Sequence, residues 1–141
     1  MKDVIIQTIP HSEHRYETVG DYFDEEVFMP SPSGTYSPIP RTRIEVSDMK
    51  NPDYEFLVVF HELIEWYLTQ KRGIKEEDIT VFDIGFETER LEGKHKDTDE
   101  PGDDPAAPYY KEHQFATKLE KEMATELGVD WDEYDKKVED M

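Results

Sequence analysis

Apolar and polar positions change their period several times along the chain, and each change marks an element. Val4 to Ile9 (VIIQTI) is a short β-branched run stopped by Pro10, which predicts a strand. Residues 11 to 40 show no period and end in the proline-punctuated stretch MPSPSGTYSPIP, which predicts an ordered but irregular surface loop. Arg43-Ile44-Glu45-Val46 alternates polar and apolar as a half-buried strand does, and Ser47 and Asp48 close it. The period then becomes helical. Phe56, Phe60, Leu63, Ile64 and Tyr67 recur at helical spacing, and Leu57, Val58, Val59, Trp66 and Leu68 widen the stripe until it nearly encircles the helix. Such a helix is expected to be central and buried. Asn51 suits its N-cap, Pro52 its first position, and Asp53 and Glu55 its positive dipole end; Gly73 stops it after Arg72.

A second helix is predicted from Lys75 to Glu89, with Ile79, Phe82 and Phe86 inward. Residues 90 to 104 are charged and rich in Gly, Asp and Pro, and read as a loop. A third helix should begin between Pro105 and Tyr109 and end at Gly128. Asp130-Trp131-Asp132-Glu133 opens a last short helix with a capping-box pattern, carrying Trp131, Tyr134 and Val138 on one side. There is no internal repeat and no linker long enough for two domains. The expectation is one domain over residues 1–141 of class α+β: a small sheet, a central buried helix and two or three further helices.

Composition narrows the chemistry. The chain has no cysteine, so disulfides and thiolate ligands are excluded and any metal must be held by nitrogen and oxygen. Thirty-five acidic against sixteen basic residues give a net charge of −19, a field that repels nucleic acid and anionic membranes and attracts cations and basic protein surfaces. Direct nucleic-acid binding is therefore not expected. No apolar run has the length of a membrane span, and Met1 to Pro10 lacks a basic region ahead of its short apolar stretch. The expected location is the cytoplasm. With 35% apolar and 12% aromatic residues the chain has enough to build a core.

The chemically pointed segment is His61-Glu62-Leu63-Ile64-Glu65 on the first helix. Residues i and i+4 project from one face, so His61 and Glu65 can reach one divalent ion, with Glu62 beside them to accept a proton from water. The third helix repeats the anomaly, since His113 and Glu120 fall on its apolar face with Tyr109, Ala116, Leu119, Met123 and Leu127. Two helices each turning a histidine and a glutamate toward the core predict one shared site. Its ligands would be His61, Glu65 and His113, with Glu120 as a fourth ligand or a supporting acid and Glu62 as general base. Zinc is the first expectation, and two histidines with one carboxylate would equally suit iron(II) or manganese. Asp83 and Glu87, and the loop acids Glu100, Asp103 and Asp104, are further candidates. His11, His14 and His95 are expected at the surface, as are Arg41 and Arg43 unless they orient an anionic substrate. Two other readings stay open. One is a buried polar network without metal, with His61 hydrogen-bonded in the core and Glu65 paired to Arg72 or another base; the other is a non-catalytic acidic protein that occupies a basic partner surface, as a DNA mimic would.

Several segments in order, Gly20-Asp21-Tyr22, Arg43 to Asp48, HELIE, Phe82-Asp83, Phe86-Glu87, Glu100-Pro101-Gly102-Asp103 and Pro108-Tyr109 with His113, resemble small acidic proteins encoded by tailed phages and prophages. The similarity runs from about Gly20 to Tyr134 and implies an origin, with the bacterial host cytoplasm as location, but no reaction. The HELIE helix also resembles the active-site helix of zincin-type metallopeptidases, which implies a reduced zincin-like fold with metal-dependent hydrolysis. Glu65 stands where that motif has its second histidine.

Overall fold

The computed structural model describes residues 3–141, in which three β-strands and four α-helices form an α+β fold. In chain order these are β1 (Asp3–Ile9), β2 (Gly20–Pro30), β3 (Tyr36–Ser47), α1 (Pro52–Lys71), α2 (Glu76–Leu91), α3 (Tyr110–Leu127) and α4 (Trp131–Glu139). Single 3-10 turns lie at His11–Glu13 and Pro101–Asp103. Of the opening segment read as lacking a leader, Met1 and Lys2 lie outside the described residues. No helix of the described residues is long and apolar enough to cross a membrane.

β3 is the middle strand, parallel to β1 and antiparallel to β2, so that Ile6, Ile44 and Tyr22 stand in one row across the sheet. Thr42, Ile44 and Val46 alternate onto one buried face, as the pleat requires, and meet Leu57 and Val58 of α1.

The loop expected over residues 11 to 40 is corrected here. Gly20–Pro30 and Tyr36–Ser47 form a long hairpin, turned through residues 31 to 35, with Gly34 at φ 82°. The prolines that argued against strands are tolerated for a topological reason. Among the described residues β1 pairs with β3 only from Arg41 onward, and residues 36 to 40 have a described neighbour only in β2. Pro38 and Pro40 share one parity and can both turn the missing N–H to that open edge.

α1 forms as its signals predict, with the Asn51 side chain accepting from the backbone N–H groups of Asp53 (3.1 Å) and Tyr54 (3.3 Å). Its buried face is another matter. Leu57, Val58, His61, Glu65, Trp66 and Thr69 are inside, while Phe56 (46% exposed) and Tyr67 (51%) face out. The helix is thus half-buried rather than encircled, covered by the sheet and α3, with Tyr134 of α4 against Tyr54 at its start. α3 approaches α1 through the fully buried Ala116 and Ala124, and these small side chains let the two helices bring their histidines together. Gly128, at φ 70°, ends α3 as a left-handed cap.

Candidate metal centre

The approach of α1 to α3 sets His61 and Glu65 against His113. His61 Nε2 is 3.1 Å from His113 Nδ1 and 3.1 Å from Glu65 Oε2, and His113 Nδ1 is 2.9 Å from the same oxygen. Three donor atoms from two helices therefore form a nearly equilateral triangle. Ligands bound at 2.0–2.1 Å in a tetrahedron stand about 3.3 Å apart, so the triangle is close to one face of such a sphere.

The far atoms of these groups are held in turn. His61 Nδ1 donates to Glu120 Oε2 at 2.7 Å, which leaves Nε2 of the neutral ring as a lone pair aimed into the triangle. Glu120 accepts at its other oxygen from the Tyr134 hydroxyl of α4, and Glu65 Oε1 accepts from the Tyr22 hydroxyl of β2 at 2.9 Å. Protons alone relieve the crowding by keeping the rings charged. Burial opposes the charge on His61, but Glu120 and Glu65 outweigh it and raise the ring to about 10. His113 is likewise raised to about 12 by Asp103, Glu100 and Glu65 against burial. Burial would lift Glu65, yet the two histidines hold it down to about 2. The three groups thus shift one another toward protonated rings around an ionised carboxylate.

Glu62 stands apart from the triangle. It lines the same cleft of about 720 Å³ as His61, Glu65 and His113, and it makes no hydrogen bond among the described residues. Its carboxyl lies over Gly20, where an added Cβ would come within 2.7 Å of Glu62 Oε1 and of Val58 Cγ1. Burial, then the neighbouring Glu65 charge, push it well above the ordinary carboxylate range.

The other predicted residues fall as follows. Glu120 sits behind His61, on the nitrogen that points away from the triangle. Glu100 and Asp103 reach the far side of His113, with Nε2 at 3.3 Å and 3.4 Å. Asp104 caps the backbone of Ala106, and Glu87 pairs with Arg90. Arg72 pairs with Glu112, so the expected Arg72 partner of Glu65 is corrected; Glu65 faces His61 and His113 instead. Arg41 and Arg43 are tied to Glu25 on the sheet. His11, His14 and His95, expected at the surface, are partly buried. His11 and His14 both bond Ser47 Oγ, and His95 stacks on Phe86.

Sequence reasoning gave Tyr22 and Asp21 no site role, because Asp24-Glu25-Glu26 interrupts the alternation that would have marked β2. It placed Tyr134 on an apolar face without seeing its hydroxyl as a partner for Glu120. Asp21 belongs to a second buried network: Arg15 donates to it twice, at 2.8 and 3.0 Å, and Tyr16 bridges it to Asp83.

No family model matches the chain, and neither the curated proteins nor the solved structures contain a match to it. Fold and site together define a small α+β protein with a His/Glu cluster whose donor atoms are close enough to share one metal ion.

Proposed function

We propose that this protein is a metal-dependent hydrolase of zincin-like type, in which His61, Glu65 and His113 hold the ion and Glu62 is the general base. The observation that carries the reading is the triangle itself. Two imidazole nitrogens and a carboxylate oxygen converge within 3.1 Å, and His61 and Glu65 are each held from behind, by Glu120 and by Tyr22.

Zinc suits the donor set best, and iron(II) or manganese would also fit. A divalent ion held there would acidify a water molecule and polarise the carbonyl of an amide or ester. Glu62, on the cleft wall and free of hydrogen bonds, takes the proton of the attacking water and can return it to the leaving group. The carbonyl carbon gains the water oxygen and loses its amine or alcohol. Glu120, through His61 Nδ1, and Tyr22, through Glu65, keep the donors in place. A phage or prophage origin is proposed on the order of segments alone. The alternative, an acidic protein meeting a basic partner surface, draws its support from the net charge of −19.

Metal analysis tests the reading. Untagged protein prepared without chelator should carry divalent metal, and His61→Ala should empty the triangle. Taking about 3 kcal/mol per donor from the 10–16 kcal/mol of four-ligand zinc sites, the loss is roughly a hundredfold in affinity. Wild-type protein that takes up no zinc, manganese or iron would leave the alternative standing.

A further inference from the structure

His113 has a second nitrogen that the proposed centre does not use. The residue is 7% exposed, and its Nε2 is buried without a hydrogen-bond partner. It does not face apolar atoms, however. The turn Pro101–Asp103 brings two carboxylates to it, Glu100 Oε2 at 3.3 Å and Asp103 Oδ1 at 3.4 Å. These separations are long for a hydrogen bond to a carboxylate, where about 2.7–2.9 Å is usual. They match the roughly 3.3 Å edge between two ligands on one tetrahedral ion.

The turn is built against the ring. A Cβ at Gly102 would fall 2.4 Å from His113 Cγ and 2.5 Å from Nδ1, so only glycine lets the backbone lie this close. Gln114 donates to Asp103 Oδ1 at 2.8 Å and fixes that carboxylate from the solvent side. Both acids stand at the rim, with Glu100 44% and Asp103 57% exposed at the side chain. The three donor atoms form a set close enough to share an ion.

We propose that Glu100, Asp103 and His113 Nε2 form a second, rim-side position for a divalent cation, with the His113 imidazole bridging it to the inner centre. The bridge rests on the inner-site reading; the rim position does not. The neutral ring carries one N–H proton, and coordination at both nitrogens releases that proton to solvent. Two metal–nitrogen bonds of about 2 Å and the width of the ring put the ions about 6 Å apart. Two carboxylates and one imidazole suit zinc, manganese or iron(II), and rim exposure makes this ion the more exchangeable of the two.

Zinc stoichiometry of the full chain tests this, with copper(II) as a paramagnetic probe of the bridge. Wild type should bind two zinc ions, and the double variant Glu100→Gln, Asp103→Asn should bind one. With two copper(II) ions the wild type should show the weakened, coupled resonance of an imidazole-bridged pair, and the double variant an isolated copper signal. His61→Ala should lose the inner ion and keep the rim ion. One zinc in wild type and in the double variant, lost in His61→Ala, would overturn the rim position and leave the inner site intact. Two ions in both proteins would place the second ion elsewhere and overturn it equally. One ion in wild type that survives His61→Ala and disappears in the double variant would overturn the inner site and the bridge while retaining the rim. No zinc in any of them would overturn both.

Discussion

The cleft holds two buried polar clusters, and they differ in how donors and acceptors are matched. Around Asp21 and Asp83, donors meet acceptors: Arg15 donates twice to Asp21, Tyr109 donates to Asp83 Oδ1 at 2.5 Å, and the Tyr16 hydroxyl lies 3.3 Å from Asp21 and 3.2 Å from Asp83. In the His61–Glu65–His113 triangle, three atoms that all carry lone pairs in the neutral-ring state face one another at 2.9–3.1 Å. Buried polar groups are ordinarily paired. The first cluster therefore explains itself as structure, whereas the second is completed only by protons or a cation. Burial of charge by itself does not mark a site; the mismatch of donors to acceptors does.

The largest effect expected from breaking this contrast is on chemistry. Glu62→Gln should keep metal and melting temperature while lowering hydrolysis by roughly 10²- to 10⁴-fold, since an amide cannot accept the proton of the attacking water. Metal content and turnover of a broad peptide and ester panel, measured on one preparation, check it; equal turnover would remove Glu62 from the reaction. Next in size is the support behind the triangle. Glu120→Gln should weaken metal binding by about 10- to 100-fold, the usual cost of losing a carboxylate behind a ligating imidazole. Isothermal titration with zinc measures it, and Asp21→Asn in the matched cluster should leave zinc affinity unchanged. Loss of zinc in Asp21→Asn alone would reverse the comparison.

The smallest effect concerns the matched cluster and pH. Burial raises Asp83 to about 6, against the hydrogen bonds from Tyr109 and Tyr16 and with the charges of Glu65 and Asp21 adding to the rise. A carboxyl whose folded value lies above its unfolded one stabilises the fold in its protonated form. That contribution is full below about pH 4 and is lost as pH rises through about 6. The stability of wild type relative to Asp83→Asn should therefore increase by about 2 kcal/mol between pH 7.5 and pH 4. Urea unfolding of both proteins across that range reads the difference. A flat or falling difference would show that Asp83 is not held above its ordinary value.

How much of this was legible in the sequence depends on whether the signal was local. The caps of α1, the stop at Gly128 and the His/Glu pairs on two helices are local, and each stands where the pattern placed it. β2 and the outer half of β3 were not legible: Asp24-Glu25-Glu26 interrupts the alternation of β2, and Pro38 and Pro40 of β3 are excused by the strand order and not by their neighbours. The face of α1 was misread for a related reason. An all-round apolar helix gives no periodic hint of which side the sheet covers, and Phe56 and Tyr67 proved to be the outer side. With β2 hidden, Tyr22 behind Glu65 and Gly20 beneath Glu62 had no signal. The contact of Glu120 with His61 Nδ1 was not readable, because which ring nitrogen faces which acid is decided by helix packing.

The most direct test of the central claim is X-ray absorption at the zinc edge on the protein loaded with one equivalent of zinc. The account predicts nitrogen and oxygen neighbours at about 2.0–2.1 Å, with the outer-shell pattern of two imidazoles, and loss of one imidazole in His113→Ala. A spectrum with carboxylate and water oxygens alone, unchanged in His113→Ala, would place the ion on the acidic surface and contradict it.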